Sequence, residues 1–263
     1  MHGNIHSFVA SIAECFPAFG PVYEFGSYIV PGQEGIGNLR SLFPGRKYVG
    51  CDMREGPGVD RIEDLSRLTI ADNTLPTILC VETLEHVFEV RRAIDELLRV
   101  LAPGGLLCIS VPFNFRLHAH PDDYWRISPS CLQGLLAPLG AMAIGWQGTD
   151  KFPHAVYAIA CKAPVPTWFA AGIGRFTTTF QQRLRTAEKA APWKKKLVQR
   201  ARSLVAAKRE RRHMAEYYDT NWITSLTTQP DATTSGLRSL CNSSTAPLTA
   251  SGGRQSPGNV GAA

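Results

Sequence analysis

Three observations predict an α/β chain built on a mostly parallel sheet, with a basic extension behind it. From about Pro21 to Lys162, short apolar runs alternate with helical patterns. The first of these runs end on an acidic residue or a glycine, at the edge where such sheets bind ligands. Between Arg183 and Arg212 stand twelve Lys or Arg against Glu188 and Glu210. That segment carries +10, and the rest of the 263-residue chain carries −4 of the net +6.

The elements follow in order. Residues 1–20 are expected to form an N-terminal helix ahead of a domain spanning 21–163. PVYEFG reads as a buried strand ending at Gly26, KYVGCD as a second ending at Asp52, and TILCVE as a third. A helix is expected from about Phe88 to Leu101. Val90, Ile94, Leu97, Leu98 and Leu101 share its apolar face, and Pro103-Gly104-Gly105 supplies the stop. LLCISVPF is the next strand, and AMAIGWQG with HAVYAIACK reads as a closing antiparallel pair, an edge hairpin. Pro164 and Pro166 mark a boundary, after which 164–226 reads as a basic amphipathic helical extension. Trp193, Leu197, Val198, Ala201, Leu204 and Val205 lie on one arc of that helix. Residues 227–263, rich in Ser, Thr, Gly, Ala and Pro, offer too little apolar surface to offset ordering entropy and are expected to be disordered.

Composition narrows the class. The seven cysteines are an odd number, mostly within apolar runs and without a C-x-x-C pair, so neither a disulfide framework nor a zinc ribbon is expected. The longest apolar stretch, LLAPLGAMAIGW, is broken by Pro138 and Gly140, and the N-terminus lacks a basic segment followed by a long apolar core. The expectation is a reduced, cytoplasmic globular protein. A mildly acidic body argues against nucleic acid as its partner.

The first strand ends on Glu24, Gly26 and Ser27 and runs into a glycine-bearing loop, Pro31-Gly32-Gln33-Glu34-Gly35-Ile36-Gly37. Glycines here either let a ligand approach the backbone closely or simply shape a turn. Asp52 ends the next strand after Gly26, where a carboxylate can meet ribose hydroxyls. The glycine spacing is not G-x-G-x-x-G. A nucleoside is therefore favoured over a dinucleotide.

The run VYEFGS, KYVGCDMREGPGVDRIEDLSRL, LCVETLEHV and ELLRVLAPGGLLCISVPF resembles the class I S-adenosylmethionine-dependent methyltransferases, methyltransferase type 11-like, with their "LEH" after strand four and "R-V-L-x-P-G-G" before strand five. The resemblance covers nearly the whole ordered body and implies a Rossmann-like, doubly wound, mostly parallel seven-stranded sheet with an antiparallel edge hairpin. It also implies S-adenosylmethionine as cofactor. Carried over residue by residue, Glu24 lies near the methionine end with Gly26 and Ser27 in the turn beneath. Asp52 takes the ribose hydroxyls and Met53 packs on the adenine. Asp64 and Leu65 approach the adenine amino group, and Glu82 ends strand four beside the cofactor. An aromatic such as Tyr28 could also face the sulfonium cation. The sequence departs from the family in its first glycine motif, where Ser27 to Pro31 delay the next glycine to Gly32. It also departs before strand four, where Leu75-Pro76-Thr77 replace an acidic residue.

After strand five, residues 113–129 concentrate polar and aromatic groups. They resemble the H-x-x-P-x-D-Y-x-R-x-(T/S)-P element of methyltransferases of glycan and cell-envelope biosynthesis. His118, His120, Asp123 and Tyr124 are the candidate catalytic residues, with either histidine as base and Tyr124 with Trp125 stacking on a sugar face. The plainer alternative has Asp123 and Arg126 bracing the loop and Trp125 in the core. No metal is expected, because His118-x-His120 lacks further ligands. His86 either orients the start of its helix or abstracts a proton.

The sequence thus points to methyl transfer onto a small-molecule or glycan-like acceptor, with oxygen as the atom methylated. The alternative is a catalytically degenerate methyltransferase fold that acts as a binding scaffold through its basic tail. For residues 183–212 the readings are a helix packed on the body, a peripheral contact with an anionic membrane or lipid carrier, and nucleic acid, the last least favoured.

Overall fold

The computed structural model describes residues 3–118, 122–190 and 219–226. The chain divides into a unit Met1–Thr227 and a unit Thr228–Ala263. The second unit, the amphipathic arc from Trp193 to Val205 and the candidate His120 lie outside the described residues.

Near-continuous runs of buried residues build one sheet covered on both faces. Its strands are β1 (Val22–Phe25), β2 (Tyr48–Asp52), β3 (Arg61–Ile62), β4 (Leu75–Val81), β5 (Leu101–Pro112), β6 (Ala141–Thr149), β7 (Phe152–Cys161) and β8 (Thr220–Leu226). Their order is β3-β2-β1-β4-β5-β7-β6-β8. The first five pair in parallel and the last three antiparallel. Because β1 is followed by β2 on one side and flanked by β4 on the other, the chain reverses direction across the sheet at β1/β4, and a crevice opens at the carboxyl ends of these strands.

Each strand feeds both faces. In β4, Leu79 and Val81 point to the side covered by α1 (Gly3–Cys15) and α5 (Trp168–Ala190), while Ile78 and Cys80 meet α3 (Val90–Val100) and α4 (Pro129–Leu135). The large apolar residues buried by α1 are Ile5, Phe8, Val9 and Ile12, with Cys15 at its end, and those of α5 are Phe169, Ile173, Phe176, Phe180 and Leu184. Both sets follow helical spacing, and the rings of Phe8 and Phe176 meet edge to face at 5.7 Å. In α3 the buried set is Ala93, Ile94, Leu97 and Val100. The apolar face is thus turned slightly from the expected one, leaving Val90 and Leu98 at its margin.

Three expectations are corrected. The sheet has eight strands among the described residues, not seven. The β6–β7 hairpin is not the edge, because β8 pairs with β6 from Ala141↔Leu226 to Gln147↔Thr220. Nor is 164–226 a purely helical appendage. Its α5 is a core helix, and its last residues form β8, where Trp222 lies over Gly145, at which an added Cβ would sit 2.5 Å from the indole. Of the basic residues, Arg183 pairs with Glu14, and Arg185 lies 3.7 Å from Asp219. No helix among the described residues is long and apolar enough to cross a membrane.

Candidate active site

The crevice holds a cleft of about 540 Å³ at the carboxyl ends of β1, β2 and β4. At β1, Gly26 turns the chain with φ +87°, and an added Cβ would lie 2.1 Å from Thr83 Oγ1, so only glycine fits. The amides of Gly26 and Ser27 both donate to the Cys51 carbonyl, at 2.8 and 3.1 Å, tying this turn to β2. Gly26 lines the cleft, whereas Ser27 is buried beneath it. Glu24 is also buried below the floor. Its Oε2 accepts the Tyr48 hydroxyl at 2.7 Å, and its Oε1 has no hydrogen-bond partner. Burial raises its pKa to about 7, while the Tyr48 hydrogen bond opposes the rise.

Asp52, at the tip of β2, lines the cleft. The Tyr28 amide donates to its Oδ2 at 3.3 Å, and the Arg54 amide and Nε donate to its Oδ1 at 3.0 and 3.1 Å. Arg54 also covers one face of the Tyr28 ring at 4.4 Å, so that face already has its cation. Met53 stands 63% exposed on the rim, and Asp64 and Leu65 line the wall beyond β3. Asp64 is held by the Ser66 amide and hydroxyl at 2.9 and 2.7 Å. The glycine-bearing loop leads into α2 (Glu34–Gly37), and its Gly32 amide donates to the Glu34 carboxylate at 2.9 Å. That amide is therefore turned inward rather than toward a phosphate.

Glu82 follows β4 with φ +50°, a left-handed backbone at a non-glycine residue in the cleft wall. Its Oε1 accepts from the Ser110 hydroxyl at 3.1 Å, and burial raises its pKa to about 7. One 3-10 turn, Leu84–His86, then brings Glu85 beside it. The Glu85 side chain is wholly buried, and neither of its oxygens has a hydrogen-bond partner. Burial first, and the Glu82 carboxyl second, hold it well above the ordinary carboxylate range.

The loop after β5 crosses over this turn. The amides of Tyr124 and Trp125 donate to the Glu85 carbonyl at 2.7 and 3.3 Å. Arg126 pairs with both oxygens of Asp123 and donates to the carbonyls of Phe115 and Arg116 at 3.3 Å each, so Asp123 and Arg126 brace the loop. The Arg126 hydrogen bond depresses the Asp123 pKa. Asp123 is behind the cleft wall, whereas His118 and Tyr124 line it. Trp125 is neither core nor wall: it is 39% exposed and donates its Nε1 to the Val87 and Phe88 carbonyls at 3.0 and 3.2 Å. His86 also faces the cleft, its ring meeting that of His118 edge-on at 4.9 Å.

Of the candidates from sequence, Gly26, Asp52, Met53, Asp64, Leu65, Glu82, His118 and Tyr124 line one cleft. Glu24, Ser27 and Asp123 support it from behind. Sequence reasoning did not single out Glu85, Arg54, Arg116 or Asp122. For Glu85 a signal existed: Glu82-x-x-Glu85-His86 directly after a strand puts i and i+3 on one side of a turn.

Residues 39–109 match the family model of a methyltransferase domain. Solved structures similar to the chain include a possible histamine N-methyltransferase from Thermotoga maritima (15% identity, 60% of this chain and 91% of that one, TM-score 0.43). The YcgJ protein from Bacillus subtilis is similar at 16% identity, over 60% of this chain and 98% of that one, with TM-score 0.45. A SAM-dependent methyltransferase from Archaeoglobus fulgidus is similar at 14%, over 59% and 92%, with TM-score 0.43. The comparison with curated proteins finds no match. The matched stretch contains Asp52, Met53, Asp64, Leu65 and Glu82. The chain carries an S-adenosylmethionine-dependent methyltransferase domain and is an enzyme of that kind. The donor set fits the cofactor. Asp52 keeps lone pairs for hydroxyls beside the three hydrogen bonds it accepts, Met53 offers an apolar rim for a base, and Glu82 offers a carboxylate to a cation.

Proposed function

We propose that the chain methylates a hydroxyl of a small-molecule or glycan-like acceptor. One observation carries this reading: the imidazoles of His86 and His118 and the ring of Tyr124 face the same cleft as Asp52, Asp64 and Glu82. A single cavity therefore joins a nucleoside half to an acceptor half.

S-adenosylmethionine supplies, when bound, a methyl group on a sulfonium, and its thioether leaving group needs no proton. The chain's own residues bind and orient. Asp52 holds ribose hydroxyls, with Arg54 and Tyr28 fixing its carboxylate. Glu82 sets a carboxylate near the positive centre. His86 and His118 set their imidazoles beside the acceptor hydroxyl, and Tyr124, 45% exposed, offers a flat face on which a sugar can stack. The resemblance of residues 113–129 to an element of glycan and cell-envelope enzymes supports a sugar acceptor.

The test is methyl transfer from tritiated S-adenosylmethionine to separate pools of monosaccharides, nucleotide sugars and amines. Label in an alkali-stable ether on a sugar is expected. Label only in amines overturns O-methylation. Tight cofactor binding without transfer to any pool favours the degenerate scaffold.

A further inference from the structure

Glu85 is a carboxylate buried without a partner. Its side chain has no solvent exposure and neither oxygen is hydrogen-bonded. Such a group in a protein interior either stays protonated or takes a cation beside it. Arg126, the nearby cation, is engaged with Asp123 instead. Two imidazole nitrogens approach Glu85 from the cleft side: His86 Nε2 lies 3.7 Å and His118 Nε2 4.0 Å from Glu85 Oε1. One ligand atom from each of the three residues falls within 4.8 Å of the others. Ligands bound at about 2.1 Å around a tetrahedral ion stand about 3.4 Å apart, so an ion would draw the three groups together by up to about 1.4 Å, the two Glu85 contacts by only a few tenths.

The far side of the His86 ring is held as that of a metal-binding histidine is held. His86 Nδ1 abuts the Asp122 carbonyl. His118 Nδ1 lies 3.0 Å from Asp123 Oδ2, out of line for a hydrogen bond, while the His118 amide donates to that same oxygen at 3.0 Å. A proton on His86 Nδ1, facing the Asp122 carbonyl, would leave the Nε2 lone pair of that ring on the side of Glu85. The loop that carries these supports is fastened to the turn by the hydrogen bonds from Tyr124 and Trp125 to the Glu85 carbonyl.

We propose that Glu85, His86 and His118 form a binding site for one divalent first-row metal ion, of the zinc to manganese group, with its open positions toward the acceptor half of the cleft. Two imidazoles and one carboxylate suit such ions better than calcium, which takes oxygen ligands only. The open positions would take an acceptor oxygen, so a hydroxyl would be activated by coordination rather than by proton removal at a histidine. That use rests on the methyltransferase reading; the site itself does not.

The test uses the full chain, stripped with chelator and titrated with Zn²⁺ by calorimetry and with Co²⁺ by visible absorption. One metal per chain is expected, with the absorption bands of a low-coordinate cobalt site. Glu85→Gln should abolish those bands, and His118→Asn, on the partly exposed loop, should weaken binding at least about tenfold. Binding of S-adenosylhomocysteine is measured in the same samples. Metal binding equal in the wild type and in folded Glu85→Gln and His118→Asn chains overturns the site, as does no binding at all. Loss of cofactor binding with metal binding intact instead overturns the reading of the cleft.

Discussion

The Tyr48 hydroxyl donates a 2.7 Å hydrogen bond to Glu24 across neighbouring parallel strands, with both side chains buried. Glu24 thereby keeps one satisfied and one orphaned oxygen under the cleft floor. Burial lifts its pKa from the ordinary 4.5 to about 7. The folded state therefore holds a proton that the unfolded chain has released. This contribution to stability is fully present below about pH 4.5 and is lost as pH rises through 7. The loss amounts to about 3 kcal/mol by pH 8. Urea unfolding between pH 5 and 8 should show wild-type stability falling relative to Glu24→Gln, whose curve lacks this decline. Parallel curves would contradict the assignment.

Gly26→Ala should destabilise the chain by at least about 2 kcal/mol, because a left-handed backbone and a Cβ 2.1 Å from Thr83 Oγ1 are imposed together. Thermal unfolding measures this. A melting temperature indistinguishable from wild type would mean that the β1 turn is far softer than its geometry implies.

Arg126 is a positioning residue. It ties Asp123 to the carbonyls of Phe115 and Arg116 and so fixes the segment bearing His118. Arg126→Leu should speed amide exchange across 113–128 and lower kcat roughly tenfold, since misplacement of acceptor groups is costly. Cofactor affinity should stay within about twofold. A change in cofactor affinity with turnover unaffected would contradict this role.

The parts legible in the sequence were those set by local pattern. The parallel strands β1, β2, β4 and β5 announced themselves as apolar runs ending at the binding edge. β8 did not, because TNWITSL is half polar and its partner β6 lies far upstream in the chain. α5 looks like the start of an appendage in the sequence because the basic run 183–212 overlaps its end, yet Phe169, Phe176 and Phe180 are core residues. In the site, carboxylates at strand ends were found because their spacing is local. The cluster of Glu85, His86 and His118 depends on the loop after β5 folding back over the turn after β4, a contact that no local spacing announces.

Removal of everything beyond Pro166 should unfold the protein. Phe169, Phe176, Phe180 and Leu184 would leave the core, at about 1.5–3 kcal/mol each, a loss comparable with the whole stability of a domain. The expected contact of 183–212 with anionic surfaces therefore needs a full-length test. In the full chain, Lys194→Glu, Lys195→Glu and Lys196→Glu together should reduce co-sedimentation with vesicles rich in anionic lipid and leave the melting temperature unchanged. Equal co-sedimentation would remove the membrane reading.

The central claim is that the cleft at β1, β2 and β4 holds S-adenosylmethionine through Asp52. Calorimetric titration of the wild type and Asp52→Ala with S-adenosylmethionine and S-adenosylhomocysteine tests it most directly. The account predicts micromolar binding at one site per chain, weakened roughly 10- to 100-fold in the variant, as loss of charged hydrogen bonds worth about 1.5–3 kcal/mol requires. Absence of binding by the folded wild type, or equal binding by Asp52→Ala, would contradict it.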